Sequence, residues 1–206
     1  MLIALFATLP AAAAEVFEDL PIPADEFVYC TVCHGVQLMG NRIIGAPRLS
    51  GMETWYVERQ MLAFKNGVRG HDPSGMKMRT MAAPLSKQQI SEVTSFVNAT
   101  RSESPAKTIA GDTEAGRAQY ATCYACHGEN GEGNEAIGGP ALAGRNDWYL
   151  AAQLRNYRDG TRGTDPDDTY GFLMRAATLV FLDDEQTIND VVSYIATLPN
   201  EGDSSL

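Results

Sequence analysis

Two short stretches concentrate the reactive residue types of this chain: Cys30-Thr31-Val32-Cys33-His34 and Cys123-Tyr124-Ala125-Cys126-His127. They lie 93 residues apart and use all four cysteines and two of the three histidines. A pair of thiols three residues apart, followed at once by an imidazole, is compatible with several chemistries. A zinc ribbon brings its two C-x-x-C pairs within about 15–20 residues of each other. Here 89 residues separate Cys33 from Cys123, and zinc leaves both histidines without a task. A thioredoxin-like dithiol sits in a βαβ setting, yet no alternating strand pattern occurs. Two structural disulfides do not require a histidine at the same place twice.

Covalent haem attachment uses every residue of the motif. Each thiol adds across a haem vinyl group to form a thioether, and the adjacent histidine becomes the proximal iron ligand. On this reading Cys30, Cys33, Cys123 and Cys126 carry two haem c groups, with His34 and His127 as proximal ligands. A ligand on the far side of the iron then decides function. Methionine raises the reduction potential and closes the iron to substrates, whereas an open site permits oxygen or peroxide chemistry. In the second half Met174, within GFLMRAA, is the only methionine. The first half offers Met76, Met78 and Met81 in GMKMRTMAAPLS. The pair Met78-Arg79 matches Met174-Arg175, while Met76 and Met81 face Phe172 and Ala177, so Met78 is the expected counterpart of Met174. His71 reads as a polar loop residue. Pro47 and Pro140 stand where a backbone carbonyl could accept the proximal histidine's other ring N–H and fix its orientation.

The elements that must position these residues are themselves repeated. At the same offset of 93, Pro47, Leu49 and Gly51 match Pro140, Leu142 and Gly144, and Trp55-Tyr56 matches Trp148-Tyr149. Gln60, Gly67 and Asp72-Pro73 match Gln153, Gly160 and Asp165-Pro166. The chain is therefore a tandem duplication, with domains at 15–100 and 111–199, a linker at 101–110 and a polar tail at 200–206. In each half a short helix leads into the cysteine motif, followed by a loop, a middle helix and a last helix. Val57, Met61 and Phe64, like Leu150, Leu154 and Tyr157, fall on one helical face. Ser86 and Gln89 read as a capping box for one last helix, and Asp183 with Gln186 as its counterpart. Ile188, Val191, Val192, Ile195 and Leu198 form an apolar stripe, and Pro199 ends it. The fold class is all-α. Each half has too small a core to be comfortably stable alone, and a covalent apolar group would complete it. Two asymmetries stand out: Pro23 replaces Gly116 on the first helix, and VQLMGNRII replaces the Gly-rich GENGEGNEAI. They predict an altered helix contact, a shorter first helix and two inequivalent haems.

The net charge of −10 and pI near 4.7 exclude a nucleic-acid-binding role, because a phosphate backbone rewards Lys and Arg. An acidic surface favours partners with basic docking faces. Residues 1–14, MLIALFATLPAAAA, read as an export signal cut after Ala14, although no Lys or Arg precedes the apolar run. The segment is shorter than the roughly 20 residues of a membrane span. The mature chain is expected in the periplasm, with no direct membrane span.

With these motifs in place, the chain resembles the dihaem cytochrome c4 family, two tandem class I cytochrome c domains. The resemblance rests on the two C-x-x-C-H-G motifs, on GAPRLSG and GGPALAG, on Trp-Tyr with Gln following, and on Met-Arg before the last helix. It implies periplasmic single-electron transfer between respiratory partners, such as a quinol–cytochrome c reductase and a haem–copper terminal oxidase. It also implies that the two haem domains pack against each other. A carrier rather than an enzyme is expected. The alternatives are the haem subunit of a dehydrogenase complex, or a dihaem peroxidase or sulfur-compound dehydrogenase with one open iron.

Overall fold

The computed structural model describes residues 27–200. The proposed export signal, Pro23 and the tail from 201 onward lie outside the described residues.

The first half contains Val28–His34 (α1), Thr54–Lys65 (α2), Pro73–Ala82 (α3) and Lys87–Ala99 (α4). The second contains Thr113–Tyr120 (α5), Tyr124–His127 (α6), Asp147–Arg158 (α7), Thr169–Phe181 (α8) and Glu185–Ile195 (α9). Among the described residues the only β pairings are the isolated bridges Asn41–Ala46 and Asn134–Gly139. The all-α expectation holds.

Local chemistry sets the helix starts. Ser86 accepts from the Gln89 N–H while the Gln89 side chain accepts from the Ser86 N–H, which is the capping box read from the sequence. The matching assignment in the second half is corrected by one residue. Asp184 caps α9, its Oδ1 accepting from Thr187 N–H at 2.7 Å. Gln186 instead donates to Asp190 Oδ1 at 2.8 Å. Both aspartates can cap, and the path of the chain into the helix selects the second. The methionine-bearing segments, for which periodicity named no element, are the helices α3 and α8. Asp72 accepts from Gly75 N–H and Asp168 from Gly171 N–H, so an N-terminal cap supplies what the weak apolar pattern does not.

In the first half α2 packs on α3 and α4; in the second α7 packs on α8 and α9, and α5 on α9. The α5–α9 crossing explains Gly116. A Cβ there would lie 2.0 Å from the Asp190 carbonyl oxygen, so only glycine lets the two backbones approach this closely. The stripe read from the sequence is the core of the second half: Ile188, Val191, Val192 and Ile195 are buried, with Leu198 packed beside them. Leu38, Val57, Met61, Phe64 and Ile90 form that of the first.

The linker is not a free tether. The Arg48 guanidinium donates to the Ser102 carbonyl at 2.8 Å. Farther along, the Asp147 carboxylate accepts from Thr108 Oγ1 and Ile109 N–H, each at 2.8 Å.

Candidate functional site

The site begins at the motif helices. In each half the chain turns back immediately after the histidine, at Gly35 and Gly128, and both glycines have positive φ. Thirteen residues on, the returning loop presents a proline carbonyl to the ring. His34 Nδ1 lies 2.7 Å from the Pro47 oxygen and His127 Nδ1 lies 2.8 Å from the Pro140 oxygen. With Nδ1–H as donor, the tautomer is set and the Nε2 lone pair is left for whatever the cavity holds. Burial pushes both imidazoles below their usual value, against the opposing pull of the proline carbonyls, so the neutral, ligating form is favoured. Sequence had offered this contact as one reading of the two prolines, and the structure contains it twice.

Each motif lines its own cavity. Cys30, Cys33 and His34 share one with Met78 and Met81; Cys123, Cys126 and His127 share the other with Met174. The zinc alternative fails on this arrangement, because the two C-x-x-C pairs open into different cavities. Burial raises the Cys30 and Cys123 thiols above their ordinary pKa. A redox-active C-x-x-C dithiol needs the reverse, a depressed thiol.

The three first-half methionines separate clearly. Met78 is half-buried and packs on the core, as Met174 does in the second half. Met81 lines the same cavity but is exposed, and Met76 is exposed and does not line it. Met81 stands where α8 has Ala177, which also lines its cavity.

A polar node between the two cavities escaped the sequence reading. Gln60 Oε1 accepts from Arg69 Nη1 at 2.6 Å and from Arg162 Nη2 at 3.0 Å. Gln153 Oε1 accepts from Arg162 Nη1 at 2.8 Å and from Arg69 Nη2 at 3.0 Å. Arg69 Nη2 also donates to the Tyr149 hydroxyl at 2.7 Å. Gln60, Gln153, Tyr56 and Tyr149 line both cavities, so the cavities meet at this node. The signal was available, because Arg69 and Arg162 obey the same offset of 93 that pairs Gln60 with Gln153. The halves are further joined by Glu53 Oε1 accepting from Ala141 N–H at 2.7 Å and Arg59 donating to the Gly138 carbonyl at 2.9 Å.

The node also tests whether a haem suits the cavities. Buried polar groups are rarely left without a partner. Yet Arg145 Nε and Nη1 and Arg162 Nε are buried donors with none, and both arginines line the second cavity. Cationic donors at the wall of an apolar cavity suit an apolar group that carries carboxylates, and a haem with its propionates has that composition. The thiols, the neutral imidazoles and the thioethers complete the set.

Comparison with known proteins agrees with this geometry. The cytochrome c family model matches residues 12–101 and again 113–199. A thiosulfate dehydrogenase electron acceptor from Stutzerimonas stutzeri (strain A1501) is 35% identical over 182 residues, 82% of this chain and 78% of that protein. Cytochrome c4 from Stutzerimonas stutzeri is 30% identical, covering 67% of this chain and 71% of its own. The crystal structure of reduced recombinant cytochrome c4 from Pseudomonas stutzeri superposes with a TM-score of 0.67 at 25% identity, over 84% of this chain and 95% of that one. Among the described residues no helix is long and apolar enough to cross a membrane. The chain belongs to the cytochrome c family, as an electron-transfer protein of two tandem domains.

Proposed function

We propose that the chain is a periplasmic dihaem electron carrier. Cys30 and Cys33 attach one haem c and Cys123 and Cys126 the other; His34 with Met78, and His127 with Met174, are the axial ligand pairs. The observation that carries this reading is duplicated: each cavity has a C-x-x-C-H motif on one wall and a half-buried, core-packed methionine on another. A haem so held supplies a one-electron couple whose potential the axial methionine raises. The protein's own contribution is to orient the imidazoles through Pro47 and Pro140 and to keep water off the iron. It also sets two arginines, Arg69 and Arg162, between the cavities. Met78 is favoured over Met81 because it shares the packing of Met174.

Electrons pass from a respiratory donor to an acceptor, a quinol–cytochrome c reductase and a haem–copper terminal oxidase being one such pair. The resemblance to a thiosulfate dehydrogenase electron acceptor favours a second donor, a sulfur-compound dehydrogenase. The test is an optical spectrum of the oxidised holoprotein with haem counted per chain. Two haems and a near-infrared methionine–iron band are expected. Met78→Ala and Met174→Ala should each remove about half of that band, as two equal sites require, and Met81→Ala none of it. One haem per chain, or a high-spin component in the unaltered protein, would refute the assignment.

A further inference from the structure

The duplication supplies an internal control at the motif histidines. Pro47 C=O and Arg48 N–H are the two ends of one peptide group, and Pro140 C=O and Ala141 N–H are those of its counterpart. Each carbonyl faces the Nδ1 of its own half's histidine, at 2.7 Å for His34 and 2.8 Å for His127. Across a trans peptide the N–H points the opposite way, and here it leads to a side chain of the other half. Arg48 N–H donates to Asn146 Oδ1 at 2.6 Å, and Ala141 N–H donates to Glu53 Oε1 at 2.7 Å. Glu53 and Asn146 are themselves matched by the offset of 93. One crossed relay is thus built twice: a side chain of one half, a peptide group, and the histidine of the other half.

Both side chains forgo a local bond to make this contact. Glu53 and Asn146 stand at the N-caps of α2 and α7, yet neither caps its own helix, although asparagine is among the best N-cap residues. The two relays differ in charge. A neutral amide backs His34, whereas a carboxylate backs His127. Burial lowers both imidazoles and the proline carbonyls oppose it; at His127 the Glu53 charge adds to that opposition. Glu53 Oε2 is buried without a partner, so no second hydrogen bond disperses the charge that Oε1 presents to Ala141. Arg145, which stands where the first half has Met52, leaves its Nε and Nη1 buried and unpartnered as well, so these atoms do not satisfy Glu53 Oε2.

Resting on the electron-carrier reading, we propose that Glu53 is a positioning residue for the opposite half: acting through the 140–141 peptide, it tightens the hold of the Pro140 carbonyl on His127 Nδ1–H and lowers the reduction potential of the second haem. A hydrogen bond to an ionised acceptor is roughly twice as strong as one between neutral groups. Successive bonds in a chain polarise one another, so a stronger pull on Ala141 N–H makes the Pro140 oxygen a better acceptor. A histidine whose Nδ1–H is held more firmly is a more basic ligand, and a more basic ligand favours the oxidised metal. Asn146 does the same for His34 with a neutral acceptor and therefore more weakly. Each half thereby helps to set the potential of its neighbour's cofactor, and the Glu53–Asn146 difference separates the two.

The test uses three variants of the holoprotein. Glu53→Gln keeps an acceptor for Ala141 N–H and removes the charge, Glu53→Ala removes both, and Asn146→Asp puts the charge on the other relay. A redox titration follows the two couples separately through the hyperfine-shifted haem methyl resonances, assigned with Met78→Ala. Glu53→Gln should move the second haem about tenfold toward the reduced form, the low end of what outer contacts change at metal sites. For a one-electron couple that is about 59 mV. Glu53→Ala should move it further in the same direction. Asn146→Asp should move the first haem about tenfold toward the oxidised form, and in each variant the other haem should move less. Equal shifts for Glu53→Gln and Glu53→Ala would assign the effect to charge acting through space and overturn the relay. So would unchanged potentials, or an Asn146→Asp protein whose second haem moves more than its first. A seam that is merely loosened does not move the two haems in opposite directions, and Asn146→Asp decides the matter even where the Glu53 variants fail to fold. The spectrum and haem count of the unaltered protein judge the carrier reading by themselves, while the order of the potentials judges the relay.

Discussion

Replacing Gly116 by alanine should damage the second half in a way that propensity alone would deny. In an exposed helix Gly→Ala stabilises by about 1 kcal/mol. At Gly116 the new Cβ falls 2.0 Å from the Asp190 carbonyl oxygen, 2.6 Å from its carbon and 2.9 Å from the Tyr194 Cβ. An ordinary carbon–oxygen contact is about 3.3 Å or more, so α5 and α9 must part by more than roughly 1 Å. The obstruction is backbone, which cannot rotate aside. Overpacking of this kind costs about 1–3 kcal/mol, here at the upper end, and the propensity gain recovers about 1. A net loss near 2 kcal/mol lowers the melting temperature of a domain this size by about 8–16 °C. The assay is calorimetry of the holoprotein with far-ultraviolet dichroism, the first half serving as internal reference. Ala118→Gly, exposed on the same helix, is the control, with an expected loss of only about 1 kcal/mol. A Gly116→Ala protein that melts at or above the unaltered temperature would refute the close-crossing argument.

Asp147→Asn should release the linker with a defined pH signature. Burial would raise this carboxyl, but bonds from Thr108, Ile109 and Trp148 outweigh it and hold it below the usual carboxylate range. A depressed folded pKa gives stability that is present above the unfolded value, about 3.9, and lost as pH falls through the folded one. Variant and parent should therefore differ by about 1–2 kcal/mol at pH 7 and draw together only as pH falls from about 4 through the lower folded value; a constant gap in denaturant midpoints across that descent would count against it. Asp184→Ala should cost about 1 kcal/mol and Asp183→Ala almost nothing, measured by urea unfolding; the reverse order would restore the cap first read from sequence. Arg162→Gln removes one arginine from the node, so hydrogen exchange in α2 and α7 should quicken and the potential of the second haem should fall. Unchanged protection with an unchanged potential would show that the node neither braces the seam nor acts on the cofactor.

The sequence by itself determined what is local or periodic. The two motifs could be read because the thioether attachment proposed for them needs its residues contiguous. The duplication could be read because one offset persists through Pro47, Trp55, Gln60 and Asp72. The core stripe of α9 follows from its 3.6-residue period. Even the proline carbonyl on the motif histidine was accessible, being only thirteen residues away in the chain. Tertiary structure decided the rest, where several residues are equally suited by type. Either Asp183 or Asp184 can cap, and the entry of the chain into α9 selects Asp184. Met78 and Met81 lie three residues apart on α3 and both line the cavity, but core packing half-buries one and leaves the other exposed. The Arg69–Gln60–Arg162–Gln153 node joins residues up to 102 positions apart, and no local pattern announces that four polar side chains will satisfy one another between two cavities. The same holds for Val36 and Ile43: apolar residues are expected inside, and only the folded loop leaves them in solvent.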